Sequence, residues 1–213
     1  MASAIDRPRA GRPTKEQQAA RHDELLRVAL DEFLEKGFDQ ASVEGIALAT
    51  GMSKRTIYAR YADKAELFKA AIARVVSSYT IPAETLRAAE TPELRETLLN
   101  VARLRIDNLS APDAIKLQRV LTAQSYRFPD LFRTAFETSA APTVAFLEQQ
   151  FENHARSGAI AVADLGKLVT AFLSLVVGGP ARMIVAGSQL EPDFIEHHLQ
   201  FTVDLFLNGI CKR

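Results

Sequence analysis

The sequence predicts an all-α protein of about nine helices. Apolar residues recur at helical spacing along nearly the whole chain, and no segment shows the period-two alternation of a strand. Prolines and glycines fall where such stretches begin and end. With 213 residues, 47% of them hydrophobic and 24% charged, the chain is long enough to bury a core without disulfides. Its one cysteine, Cys211, excludes an intramolecular disulfide and suits a reducing compartment.

The first helix is expected over Gln17–Lys36, because Leu25, Leu26, Ala29, Leu30, Phe33 and Leu34 form one apolar stripe. Gly37 ends it as a left-handed cap. Two short helices follow, Val43–Ala49 and Lys54–Arg60. A longer one starts after Asp63, where Glu66 completes a capping-box pattern, and Ile81-Pro82 breaks it. Further helices open at Thr91-Pro92, Ser110-Ala111-Pro112 and Phe128-Pro129, where proline suits a first turn. Another is expected from Thr143 to Ser157-Gly158, then an apolar segment Asp164–Ala186 interrupted by Gly178-Gly179-Pro180, then a last helix over Pro192–Leu207. The expected division is a basic arm (1–20), a small helical unit (21–78) and a larger bundle (79–213), with a boundary near Val76–Pro82.

Neither end nor interior suggests export or a membrane. Residues 1–24 carry Arg7, Arg9, Arg12, Lys15 and Arg21 with no apolar run. The longest uncharged stretch, Leu168 to Ala181, lies between Lys167 and Arg182 and is shorter than the ~20 residues of a span. A soluble, cytoplasmic protein with no membrane partner is expected.

Function concentrates in residues 42–64. Two short helices meet at Thr50-Gly51-Met52, where Gly51 permits a positive φ and Ser53 can cap the second helix. At about 100° per residue, Ile57 and Tyr61 point inward together. Lys54, Arg55, Tyr58 and Ala59 fan across the other side, and no acid lies between Thr50 and Ala62. Such a face fits a DNA major groove: Arg bonds guanine bidentately, Lys and Tyr suit phosphates, and Ala allows close approach. The spacing reads as a helix-turn-helix. A packed helical hairpin with a solvated basic face is the structural alternative.

This stretch resembles the TetR family of transcriptional regulators. The likeness is strong over Arg21 to Ala71, through Phe33-Leu34-Glu35-Lys36-Gly37-Phe38, Ser53-Lys54-Arg55-Thr56-Ile57-Tyr58 and Asp63-Lys64-Ala65-Glu66-Leu67-Phe68. It implies a three-helix DNA-binding domain in which Lys54, Arg55, Tyr58, Ala59 and Arg60 face DNA. It also implies that Lys64 meets phosphate and Ser42 meets backbone; Ser53 and Thr56 complete the expected set. Arg55 stands where the family often has glycine, and Gly45 where an acid is usual.

In the arm, Arg9-Ala10-Gly11-Arg12-Pro13 is similar to the centre of an AT-hook, so Arg9 and Arg12 are candidates for the minor groove, with a solvated tail as the alternative. Tyr126-Arg127-Phe128-Pro129-Asp130-Leu131 and Gly178-Gly179 loosely resemble the AefR-like subgroup. That likeness implies a C-terminal bundle for ligand binding and dimerisation. The partners implied are a double-stranded pseudo-palindromic operator, a second copy of the chain, and a largely apolar small-molecule effector acting on a repressor. Arg103, Tyr126, Phe128, Phe132 and Phe136 are candidates for the pocket. Leu168, Phe172, Leu175, Val176, Phe194, Leu199, Phe201 and Phe206 are candidates for the dimer interface, the alternative being that both helices complete the monomer core. No metal site, cofactor or catalytic motif is expected: His22, His154, His197 and His198 show no ligand spacing, and no GxSxG, P-loop or GxGxxG occurs.

Lys plus Arg equals Asp plus Glu at 26 each, so the chain is neutral overall. The charge is instead local. Residues 1–21 carry five cations against two acids, and Thr50–Ala62 three against none. Neutrality therefore excludes a wholesale basic binder and leaves a patterned DNA reader intact.

Overall fold

The computed structural model describes residues 14–160 and 164–210, so Arg9, Arg12 and Cys211 lie outside the described residues. The chain forms two compact units that divide at Ala71/Ile72, within helix α4. No strand occurs among the described residues.

The first unit holds α1 (Lys15–Gln40), α2 (Val43–Thr50), α3 (Lys54–Tyr58) and the start of α4 (Lys64–Val76). Thr14 and Gln17 cap α1 reciprocally. Gly37, at φ 72°, interrupts its regular geometry where the apolar stripe ends. Behind that break Phe38 turns into the core, its ring centroid 6.0 Å from Phe33 and 5.1 Å from Phe68. Leu25, Leu26, Ala29 and Leu30 of α1 share this core with Ile46 of α2, Ile57 of α3 and Leu67 of α4, all buried. Glu66 N–H donates to Asp63 Oδ1 at 2.9 Å, which caps α4.

The second unit comprises the end of α4, a 3-10 turn at Ser77–Tyr79, α5 (Ala83–Ala88), α6 (Leu94–Ser110), α7 (Pro112–Ala123), α8 (Pro129–Arg156), α9 (Leu165–Ala186) and α10 (Pro192–Ile210). Helix α6 packs against α7, α8, α9 and α10. Leu98, Val101, Phe151, Phe172, Leu199 and Phe206 are among the buried residues of this core. Two bidentate ion pairs tie α6 to α10: Arg95 to Asp204 at 2.6 and 3.0 Å, and Arg103 to Glu196 at 3.0 and 2.5 Å.

Three elements differ from the sequence-based expectation. Residues 129–156 are one helix, not two meeting at Thr143, with Pro142 inside it. Helix α9 likewise runs through Gly178-Gly179-Pro180. Val176, Pro180 and Ile184 are buried four residues apart, so packing along one face outweighs the proline's missing donor. As a result α9, with 22 residues, is long and apolar enough to cross a membrane by length and composition, unlike the short run read from the sequence. Within the unit it packs against α6, α7, α8 and α10. Helix α5 had no counterpart in the pattern reading.

Candidate nucleic-acid interface and effector cavity

Helix α3 is short and one-sided. Ile57 is its buried residue, while Lys54, Arg55, Thr56 and Tyr58 are exposed, as are Ala59 and Arg60 just beyond it. The turn before it works as the sequence suggests. Gly51 sits at φ 62°, and its N–H bonds back to the α2 carbonyls of Ala47 and Leu48. Ser53 Oγ accepts the Thr56 N–H at 3.1 Å and pairs with Thr56 Oγ1 at 2.8 Å. The two hydroxyls thus brace each other at the start of the helix.

Contacts beyond α3 itself modify this face. Lys54 Nζ reaches Glu44 of α2 at 3.1 Å. Both side chains are well exposed, and such a pair contributes little, so a phosphate competes readily for the lysine. The Arg55 carbonyl accepts the Ala59 N–H at 3.0 Å, while its side chain makes no hydrogen bond among the described residues, which leaves the guanidinium fork available. Ser42 is exposed and caps α2, accepting the Gly45 N–H at 3.0 Å. Lys64 is more committed: its Nζ donates to the carbonyls of Asp39 and Ala41 at 3.1 and 3.0 Å and lies 4.7 Å from the Phe38 ring centre. It is half-buried and fastens the end of α1 to α4, a role invisible in the sequence.

Gly45 is explained by its surroundings. A Cβ there would stand 3.1 Å from both Glu32 Oε1 and Ser42 Oγ. Glu32 accepts from Lys36 Nζ at 2.8 Å and approaches the Ser42 N–H at 3.4 Å. A missing side chain therefore lets α1 and the start of α2 approach closely, at about 1 kcal/mol of helix propensity. Tyr61 is half-buried, and its hydroxyl lies 2.6 Å from His22 Nε2 on α1. Burial pushes the Tyr61 phenol up, against a smaller downward pull from Arg60.

The second unit contains a cavity of about 400 Å³ bounded by α6, α7, α8, α9 and the segment from Val76 to Tyr79. Its walls are largely apolar, with Leu117, Leu121, Val144 and Leu173 among them. Phe132 and Phe136 line it, whereas Arg103, Tyr126 and Phe128 do not. Arg103 is engaged by Glu196 on the α10 side, Tyr126 is fully exposed, and Phe128 is half-buried with the Arg127 guanidinium 5.6 Å from its ring centre. Pattern reading missed Arg105, which is in the wall with Asn108 and Gln118. Its phase was a usable signal, because it shares the inward stripe of Leu98, Ala102, Ile106 and Leu109.

The interface candidates separate into two groups. Leu168, Phe172, Val176, Leu199 and Phe206 are buried in the unit's own core, which corrects their assignment to a dimer face. Leu175, Phe194 and Phe201 are exposed, together with Met183 and Leu205. On α10, Phe194, Phe201 and Leu205 share one outward face. Among the described residues, no group of three or more His, Cys, Asp or Glu is placed to hold a metal ion.

The fold and this face define a helix-turn-helix protein of the transcription-factor class. Residues 25–71 match the model for bacterial regulatory proteins of the TetR family, and residues 96–209 match the C-terminal domain of AefR-like transcriptional repressors. The chain belongs to the TetR family and is a DNA-binding transcriptional regulator. It is similar to an HTH-type transcriptional regulator of Mycobacterium tuberculosis, 26% identical over 157 residues, covering 73% of this chain and 75% of the relative. The DNA-binding transcriptional repressor TetR of Mycobacteroides abscessus is 46% identical over 48 residues, which is 22% of this chain and 25% of that protein. Among solved structures, the flavonoid-responsive regulator FrrA is 29% identical with a TM-score of 0.68, over 92% of this chain and 99% of that one. A TetR-family regulator from Mesorhizobium loti shares the fold, with a TM-score of 0.76 at 24% identity over 94% of this chain and all of that one.

Proposed function

We propose that the protein is a cytoplasmic homodimeric repressor that reads a pseudo-palindromic operator with α3 and responds to a small, largely apolar effector in the α6–α9 cavity. The observation that carries the reading is the exposed Lys54, Arg55, Tyr58 and Arg60 set on a helix anchored through buried Ile57. In this reading Arg55 reads a base, and Lys54, Tyr58, Arg60, Ser42, Ser53 and Thr56 position the backbone, with Ala59 allowing close approach. Lys64 meets phosphate at the start of α4 while holding the α1 carbonyls. Arg9 and Arg12 are assigned to the adjacent minor groove. The outward residues Leu175, Met183, Phe194, Phe201 and Leu205 support a two-fold interface formed by α9 and α10.

An effector shifts the DNA-bound population only by its differential affinity for the two states. The test is binding of purified full-length protein to DNA upstream of its own gene and of divergent neighbours. Salt-sensitive, sequence-selective retardation supports the proposal. Equal affinity for scrambled DNA of the same length overturns it.

A further inference from the structure

The charge lining the cavity is unbalanced. Among the described residues, its walls contain Arg105 and Arg182 and no Asp or Glu. Arg182 is exposed at the rim, whereas Arg105 is only 5% exposed. Arg105 Nε has no hydrogen-bond partner among the described residues. Its one hydrogen bond among the described residues runs from a terminal N–H to the Ser139 carbonyl, and at 3.4 Å it is long. A guanidinium has five N–H donors, so most of this group's capacity is unused.

The neighbouring elements do not supply the missing anion. Apart from the two arginines, the polar groups of the lining are neutral: Tyr79, Asn108, Gln118, Ser139, Thr170 and Ser174. Asp113 of α7 lies 3.6 Å from Lys116, and Glu137 of α8 lies 3.6 Å from Arg133. On α9 the charged groups are Lys167, paired with Asp164, and Arg182 at the rim. Burial pushes the Arg105 guanidinium down from its ordinary value with no opposing contribution from an acid, yet a guanidinium stays charged near neutral pH. Arg103, on the same helix, has the bidentate carboxylate partner that Arg105 lacks.

We propose that the cavity takes an amphipathic monocarboxylate, with an aryl or acyl body against the apolar walls and its carboxylate seated on Arg105. The proposal rests on the reading of this cavity as the effector site and adds the effector's charge and head group. A carboxylate fits because its two oxygens match the guanidinium fork. One buried cation calls for one negative charge, and a cavity of about 400 Å³ is large enough for a small drug-sized body.

The test is calorimetric titration of full-length protein with 2-naphthoate and 2-naphthamide, and with decanoate and decanamide. Each pair keeps its body and differs in charge. Wild type is expected to bind the acids at least tenfold more tightly than the amides. Arg105→Met is expected to bring that ratio close to one while amide affinity is retained, with Arg105→Gln as a second variant and thermal melts confirming that both fold. Amides binding as tightly as acids to wild type, or a tenfold preference persisting in both variants, overturns the anion assignment and leaves the cavity as an effector site. If neither acids nor amides bind, the effector reading of the cavity falls as well, while selective operator binding stands or falls by its own assay.

Discussion

Replacing Arg105 by Met should stabilise the ligand-free protein. The guanidinium is almost fully buried, has an unpartnered Nε and retains one long hydrogen bond. Losing that bond costs about 0.5–1 kcal/mol. Removing an uncompensated buried cation relieves a desolvation penalty of several kcal/mol, and the flexible, unbranched Met side chain can occupy most of the vacated space. Replacing even a buried ion pair with well-packed apolar residues is often neutral or stabilising by about 1–4 kcal/mol, and an unpaired cation carries the desolvation cost without the ion-pair attraction. For a chain of this size, a gain of that order raises Tm by roughly 2–16 °C. The assay is thermal and urea unfolding of effector-free protein, with wild type and variant at the same protein concentration because the proposed dimerisation would contribute to apparent stability. A variant less stable than wild type by more than about 1 kcal/mol would refute the reasoning, because it would mean that Arg105 already has a compensating partner.

Three further outcomes follow from the geometry. Arg55→Ala should narrow the gap between operator and scrambled DNA by about 1–3 kcal/mol, whereas Lys64→Ala should weaken both alike and lower stability by about 1–2 kcal/mol through its lost carbonyl bonds. Fluorescence anisotropy and urea melts read these two effects separately. Phe201, 70% exposed on α10, should give a folded monomer by analytical ultracentrifugation when changed to Glu, while Leu199→Glu should unfold the bundle; a dimer that persists in Phe201→Glu would place the interface elsewhere. Arg103 holds the Glu196 carboxyl at about 2, well below its ordinary 4.5. The folded-state value is the lower one, so this contribution is complete above pH 4.5 and is lost as pH falls toward 2. Glu196 is partly exposed, so screening limits the effect to about 1 kcal/mol, and Glu196→Gln should flatten that part of the acid-unfolding curve.

The first unit was legible because local signals agree there. The α1 stripe, Gly51, the Ser53 cap and the one-sided α3 each point to the same packing. In the second unit, local signals compete with tertiary packing. The pattern predicts a new helix at Thr143 and an interruption at Gly178-Gly179-Pro180, yet Pro142 and Pro180 both lie inside continuous helices. Helix α9 is apolar on most sides, so its sequence does not say whether Phe172 or Leu175 faces inward; the fold buries the former and exposes the latter. Arg103 drew attention as a pocket candidate, but helical phase brings Arg105 into the cavity wall two residues later. The Lys64 bonds to Asp39 and Ala41 join residues more than twenty positions apart, beyond any local pattern.

The central claim is that two copies of α3 read one two-fold site. Hydroxyl-radical footprinting of the full-length protein on fragments selected from its own genome tests this most directly. Two protected, symmetry-related half-sites centred about one helical turn apart (~34–36 Å), or a multiple of that, are predicted, with protection fading as salt rises. A single unpaired footprint, or uniform protection without sequence preference, would contradict it.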